Sequence, residues 1–342
     1  MDLSWVTFLL TVLFAVVFQL ANGWNDAATA VATVISTRVL TPAKAIAFGA
    51  VLNFLGALFS SKVAETVGKE IADPALLTSA AGGTIFLAAV VTAPIWITFC
   101  SRRGLPNSCS HALLGALIGS VIASQGSLSA LEGEGIQKIF FGVLIGPLAG
   151  FAAGYLLARV VTWLSRDFRP SAASAVFGKL QLVSAGGMAF AHGTGDAQKA
   201  MGIIAGALVS LRAAQGLPGG EFHIDMWMRL LCAVAMAVGT SLGGWRIMRT
   251  LGSRLMHLRT YQGFSAETAA AATILVNTLS GIPMSTTHSI TGSILGVGAA
   301  RRVKAVRWGV GKKIVFAWVV TFPVCILGGA GVLLLLRAVG IR

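Results

Sequence analysis

The sequence predicts an all-α polytopic membrane protein built from two inverted-topology repeats, each with broken helices and a re-entrant helical hairpin. Three observations lead to this fold class. Apolar residues make up 56% of the 342 residues and charged residues 11%, with a mean hydropathy of +0.81, whereas soluble domains carry about 25% charged residues. Two polar motifs each occur twice in the chain. Basic loops alternate with mixed or acidic ones.

Ten apolar segments follow one another along the chain, and several are long enough to cross roughly 30 Å of hydrocarbon as helices. The first begins at Leu3 without a basic leader, so we interpret it as a membrane helix rather than a cleavable signal peptide. Polar interruptions at 22–26 and 192–196 predict helix breaks. The segments run near 3–37, 43–61, 82–101, 105–124, 139–162, 180–211, 228–247, 264–280, 282–300 and 313–336.

A Gly-x-Pro break followed by hydroxyl residues and a histidine occurs at 104–111 and again at 281–288. Each break predicts the tip of a re-entrant hairpin, because non-helical backbone at membrane depth must be lined by protein; two full spans are the alternative. The free N–H groups of the following helix, with the hydroxyls, suit an oxyanion, whereas simple N-capping would explain one hydroxyl per helix. The candidate anion ligands are Ser108, Ser110, Ser285, Thr286 and Thr287.

Asp26 and Asp196 are the two acids inside apolar segments, apart from Glu267 at the start of one. They lie in the second repeated motif, at 23–27 and 193–197, where each follows a glycine at the same spacing. A carboxylate at the bilayer centre costs roughly 2.5–3.5 kcal/mol on insertion scales. The pair therefore predicts cation binding or proton carriage, with the capping of a half-helix as the alternative for each.

The loop charges predict the orientation, because basic loops remain in the cytoplasm. In this orientation the two copies of each motif cross the membrane in opposite directions. We therefore expect inverted repeats, as in many secondary transporters. We expect a first repeat at 1–165, a cytoplasmic linker at 166–179 and a second repeat at 180–342. The same loops account for the formal net charge of +14. We therefore expect contacts with anionic membrane lipid and no nucleic-acid partner.

Histidine and lysine residues within the motifs leave several roles open. His111, His192 and His288 suit a proton relay, an anion donor or a lock on the bend, and they lack the short spacing of a zinc site. Lys199 suits neutralisation of Asp196, attraction of the anion or snorkelling. An intramembrane Ser–His–Asp hydrolase and an ion channel are further alternatives. Because every element is duplicated, we favour a symmetric transport pathway with a binding site and expect no enzyme.

At these residues the chain resembles the inorganic phosphate transporter (PiT) family, in its bacterial low-affinity permease form. The Gly-x-Asn-Asp signature of that family is similar to residues 23–26 and, with Gly195 in place of asparagine, to residues 193–196. The family's serine-rich tips are similar to residues 104–113, where Cys109 interrupts the serines, and to residues 283–288. The four motifs occur in the family's order over nearly the whole chain.

The resemblance implies a multi-pass secondary transporter of the inner (cytoplasmic) membrane that imports inorganic phosphate with sodium or protons and needs no other cofactor. It also implies homodimers and elevator-like movement. Sulfate or a metal–phosphate complex remains open as the substrate. By position, phosphate would contact the five hydroxyl residues together with Asp26 and Gln198. The positions implied for cation coupling are Asn25, Asp26, Asp196, Thr29, His111 and His288, with sodium at the first three.

Overall fold

The computed structural model describes residues 2–77, 79, 81–217 and 221–341, and over these residues the chain forms α-helices without a strand ladder. A π-helical turn at Thr250–Arg254 and a 3₁₀ turn at Val303–Ala305 interrupt the series. The α-helices are α1 (Leu3–Ser36), α2 (Pro42–Ala57), α3 (Lys62–Lys69), α4 (Pro74–Leu77), α5 (Gly82–Arg103), α6 (Cys109–Gln125), α7 (Gly133–Leu164), α8 (Pro170–Ala214), α9 (Met226–Leu242), α10 (Trp245–Arg249), α11 (Thr260–Leu279), α12 (Thr286–Arg301) and α13 (Trp308–Ala338). Each of the ten predicted apolar segments corresponds to one of these helices.

The order of helices occurs twice. A long helix (α1 or α8) is followed by a bent pair, then by two helices joined at a Gly-x-Pro break, and then by another long helix (α7 or α13). The bent pairs are Pro42–Ala57 with Lys62–Gly68, at 73°, and Met226–Leu242 with Trp245–Arg254, at 61°. The predicted all-helical fold with broken helices is therefore confirmed. The inverted orientation of the two halves stays a prediction.

Four of the described helices are long and apolar enough to cross a membrane, and the number rises to six if each bent pair is one span. The four are α1, α5, α7 and α13. Large apolar side chains such as Leu13, Phe141 and Leu335 lie exposed on their outer faces. Such faces need lipid or another apolar partner.

The two Gly-x-Pro breaks form the tips of two helical hairpins. Gly104 and Gly281 take φ values of +67° and +72°, a region in which glycine has no Cβ penalty. Helices α5 and α6 pack against each other, as do α11 and α12. The tips meet inside the protein, where the Ser110 hydroxyl donates to the carbonyl of Met284 at 3.1 Å.

The predicted breaks at 22–26 and 192–196 are wrong, because α1 and α8 are helical through both stretches. The glycines there allow close crossing instead. A Cβ on Gly23 would overlap the backbone of α9 at Met236, and a Cβ on Gly193 would overlap the backbone of α2 at Asn53. Neither Asp26 nor Asp196 therefore caps a half-helix.

The two halves interlock rather than form separate domains. Helix α7 packs against α12, and α6 packs against α13, so each half covers a hairpin helix of the other. Helix α8 begins at Pro170, inside the predicted linker at 166–179, and the bounds of the two repeats stay a prediction. A proline is well tolerated at a first helical turn, where its missing N–H has no partner to lose.

Candidate functional site

The repeated motifs converge where the middles of α1 and α8 meet the first turns of α6 and α12. Asp26 and Asp196 are each 1% exposed. The second hairpin tip brings Thr286 onto Asp196 and Thr287 onto Asp26. The site therefore combines both acid motifs with a hydroxyl-rich hairpin tip.

The Asp26 carboxylate receives donors from its own helix and from the far hairpin. Its Oδ1 accepts from Asn25 Nδ2 at 2.7 Å and from the Thr287 hydroxyl at 2.7 Å. Asn25 Oδ1 in turn accepts from the Ser101 hydroxyl at 2.7 Å. Asn25 thus orients Asp26 and links it to the end of α5.

The Asp196 carboxylate is held differently. Its Oδ1 is paired with the ammonium of Lys199, and its Oδ2 accepts from the Thr286 hydroxyl at 3.2 Å. Lys199 Nζ also donates to the carbonyl of Met284 at 3.2 Å, the same carbonyl that accepts from Ser110. One ammonium therefore joins Asp196 to both hairpin tips.

His192 lies between the two carboxylates. Its Nε2 is 3.3 Å from Asp196 Oδ2 and 3.7 Å from Asp26 Oδ2. Its Nδ1 lies 2.9 Å from Asn53 Oδ1, while Asn53 Nδ2 donates to the Thr240 hydroxyl at 3.0 Å. This network assigns a proton to Nδ1, and Nε2 faces the two carboxylates. The three groups are close enough to share one metal ion.

Ser108 and Ser285 hold the first turns of α6 and α12. Each side-chain oxygen accepts an N–H of the turn that follows, from His111 at 3.1 Å and from His288 at 3.3 Å. The remaining first-turn N–H groups have no carbonyl within their own helix. Each helix start therefore offers free backbone N–H groups, and the capping hydroxyls retain a proton to donate. Anion binding at these helix starts stays a prediction.

Gln198 does not lie among the expected phosphate ligands. Its Oε1 accepts the N–H of Val63 at 2.7 Å and of Ala64 at 3.3 Å, and its Nε2 donates to the carbonyl of Thr194 at 2.7 Å. The amide oxygen caps α3, which was not expected from the sequence, and the amide nitrogen bonds within α8. Both ends of the amide have protein partners in this geometry, and a contact of Gln198 with phosphate stays a prediction.

Thr29 and the two tip histidines also lie apart from the carboxylate groups. The Thr29 hydroxyl donates to the backbone carbonyl of Asp26 at 2.7 Å rather than to its side chain. The rings of His111 and His288 contact each other at 4.4 Å, and His288 also lies 3.7 Å from the Trp318 ring. Neither ring has a hydrogen-bond partner among the described residues. In this geometry the three side chains do not contact the aspartate carboxylates, and their part in cation coupling stays a prediction.

Sequence reasoning missed two polar groups. Asn53 fixes His192, yet a lone asparagine in an apolar segment gave no signal. Glu267, fully buried, accepts from Thr33, Ser184 and Gln181, the last at 3.2 Å. Its position in an apolar segment was the available signal.

A cavity of about 610 Å³ reaches the Asn25 side of the site. Trp24 and Ser101 line it, together with Arg102 and Arg246. Ser101 is bonded to Asn25, and Asn25 is bonded to Asp26, so two side chains connect the cavity wall to that carboxylate. The arginines give its mouth a positive charge, which attracts anions.

Two buried carboxylates beside two hairpin helix starts, at the meeting point of two halves, are typical of a membrane transporter. The model of the phosphate transporter family matches residues 22–329. The chain belongs to this family.

Two relatives cover almost the whole chain. A probable low-affinity inorganic phosphate transporter of Rhizobium meliloti is 44% identical, covering 92% of this chain and 91% of the relative. A protein of the same description in Bacillus subtilis is 40% identical, covering 96% and 97%. A solved structure titled "The sodium-dependent phosphate transporter" shares the fold with a TM-score of 0.86 at 22% identity, covering 98% of this chain and all of that one.

These similarities confirm the predicted family. The relatives are named as transporters, so the prediction that the chain is not an enzyme is also confirmed. Family membership and the apolar helices together confirm a multi-pass membrane protein.

Proposed function

We propose that the chain imports inorganic phosphate across the cytoplasmic membrane by symport with a cation that binds at the paired aspartates. One observation carries this proposal. Thr287 and Thr286, at the start of one anion cradle, donate to Asp26 and Asp196 respectively. The anion and cation ligands are therefore bonded to each other, so occupation of one site changes the other.

The coupling is electrostatic. Desolvating phosphate alone would be prohibitive. Without a bound cation, the Asp26 carboxylate opposes an anion placed beside it, because the Lys199 ammonium is already paired with Asp196. At about 4 Å and an effective dielectric constant of about 20, one charge pair interacts by roughly 4 kcal/mol. This corresponds to about three orders of magnitude in phosphate affinity. A cation bound beside Asp26 removes this opposition.

We propose sodium as the first candidate for the coupling ion. The solved structure with the same fold carries sodium dependence in its title. The Asp26 carboxylate and the Thr287 hydroxyl place oxygen atoms together, and hard cations prefer oxygen ligands. Protons are the second candidate.

The test is uptake of radiolabelled phosphate into proteoliposomes under an imposed sodium gradient or an imposed proton gradient. We expect uphill accumulation under the sodium gradient and its loss in Asp26→Asn. Asp167→Asn, a change at an exposed carboxylate, is the matched control and should accumulate phosphate normally. Normal accumulation by Asp26→Asn would refute the proposal. Accumulation of sulfate instead of phosphate would show that the substrate is a different oxyanion.

A second candidate substrate is a neutral metal–phosphate complex. It is favoured by the cluster of His192, Asp26 and Asp196, whose ligand atoms lie close enough together to hold one metal ion. One imidazole and two carboxylates suit a divalent transition metal. If this substrate is correct, a chelator abolishes uptake and labelled metal enters with phosphate in equal amounts. Unchanged uptake in a chelator excludes it.

The inverted repeats and the homodimer remain part of the proposal. The duplicated order of helices supports the inverted repeats, and the exposed apolar faces are compatible with a homodimer. Labelling of single cysteines introduced at positions 38 and 212, one in each half, tests the inversion. These positions follow Asp26 and Asp196 toward the ends of α1 and α8, so we expect labels from opposite sides of the membrane.

A further inference from the structure

The two copies of the acid motif differ at the third residue after the aspartate. The first copy has Asp26 followed by Thr29, and the second has Asp196 followed by Lys199. Because both aspartates lie in continuous helices, the third residue after each lies near its carboxylate. The two halves of the site therefore differ by one positive charge.

The Lys199 ammonium lies where a cation would be expected in the second half. The side chain is 1% exposed, and its Nζ contacts Asp196 Oδ1 and, at 3.2 Å, the carbonyl of Met284. A carboxylate and a backbone carbonyl are the oxygen ligands that hard cations take in proteins. A lysine bonded to both satisfies the same negative charge without an ion from solution.

The second half also lacks a ligand that the first half has. Asn25 precedes Asp26, whereas Gly195 precedes Asp196. Even a Cβ at Gly195 would lie 3.0 Å from the Thr278 hydroxyl, which is tighter than ordinary packing. An additional amide ligand therefore has little space at this position.

The first half, by contrast, retains polar atoms without partners. Asn22 lies four residues before Asp26, on the same helix face, and both of its side-chain polar atoms are buried and unbonded among the described groups. The same holds for Asn107, whose backbone carbonyl accepts from Asn25. Buried amides without partners are costly, and a bound cation would satisfy their oxygens. Within the described residues no lysine or arginine is paired with Asp26.

We propose that Lys199 is a tethered cation that permanently fills the cation position of the second half, so that the protein binds one exchangeable cation per phosphate, beside Asp26. The proposal rests on the proposed function, since it assigns the cation position of that same site. It also makes Lys199 a determinant of coupling stoichiometry. A lysine that contacted phosphate would instead set affinity for the anion.

The test is binding of radiolabelled sodium to purified, detergent-solubilised protein without phosphate. We expect one saturable sodium ion per chain in the wild type and in Lys199→Arg, which keeps the charge. We expect two in Lys199→Thr, which gives the second half the residue of the first. The double variant Asp196→Asn with Lys199→Gln removes the ion pair without changing net charge. It should still bind one ion, and so provides a test if the single variant fails to fold.

Two bound ions in the wild type, or loss of sodium binding in the double variant, would overturn the proposal. An unchanged sodium number in folded Lys199→Thr, with a raised phosphate KM in proteoliposomes, would assign Lys199 to the anion instead. Failure of the proposed function is distinguishable from these results, because it appears as absence of phosphate accumulation by the wild type under every gradient.

Discussion

The bond between Thr287 and Asp26 gives the sharpest test of coupling between the hairpin and the acid pair. Thr287→Val keeps the shape of the side chain and removes the hydroxyl that donates to Asp26 Oδ1 at 2.7 Å. Asn25 then remains as the donor to that oxygen. A hydrogen bond to a charged group contributes about 1.5–3 kcal/mol, which corresponds to roughly a 10- to 150-fold change. We expect kcat/KM for phosphate to fall within that range.

The assay is the initial rate of phosphate uptake, measured against phosphate at saturating sodium and against sodium at saturating phosphate. Both KM values should rise in Thr287→Val, because the lost bond joins the two sites. Thr291→Val is the matched control, since Thr291 lies on the same helix, is buried and has no partner for its hydroxyl among the described groups. Equal losses in the two variants, or an effect on the phosphate KM alone, would refute this reasoning.

Three further changes separate structural roles from binding roles. Gly193→Ala forces a Cβ against the Asn53 carbonyl. The overpacking costs about 1–3 kcal/mol and should lower the melting temperature in detergent. Gly187→Ala is the control, because the space around Gly187 is open, and it should leave the melting temperature unchanged or higher. Gln198→Leu removes the cap of α3 and should reduce thermal stability without a change in the phosphate KM; a raised KM would return Gln198 to the anion ligands. Glu267→Gln places an amide among three donors. The free energy of unfolding should fall by about 1–3 kcal/mol, as measured by thermal unfolding. An unchanged melting temperature would contradict this prediction.

The predicted helices were confirmed because long apolar segments leave few alternatives in a chain of this composition. The short helices α3 and α10 were missed, since each is too brief and too polar to give an apolar signal. Their presence changed the interpretation of Gln198, whose amide caps α3. A residue beside a functional motif can therefore serve a neighbouring helix that the sequence does not reveal.

Glycine gave the most misleading local signal. Gly23 and Gly193 lie in the polar stretches 22–26 and 192–196, which were predicted to break their helices. In the fold they lie at helix crossings with α9 and α2, where a side chain would overlap the opposing backbone. Because glycine has no Cβ, it suits a helix break and a close helix crossing equally well. Only the position of a second helix shows which of the two is present.

The sequence by itself determined the membrane class, the number of long helices, the two duplicated motifs and their family, because composition, apolar length and motif order are properties of the chain alone. Only the tertiary structure decided which polar atoms meet. Thr287 reaches Asp26 across 261 positions of sequence, His192 faces two carboxylates because Asn53 holds its other nitrogen, and Lys199 pairs with Asp196 rather than with solvent. Such contacts depend on how helices cross, and helix crossing is set by packing between residues that lie far apart in the chain.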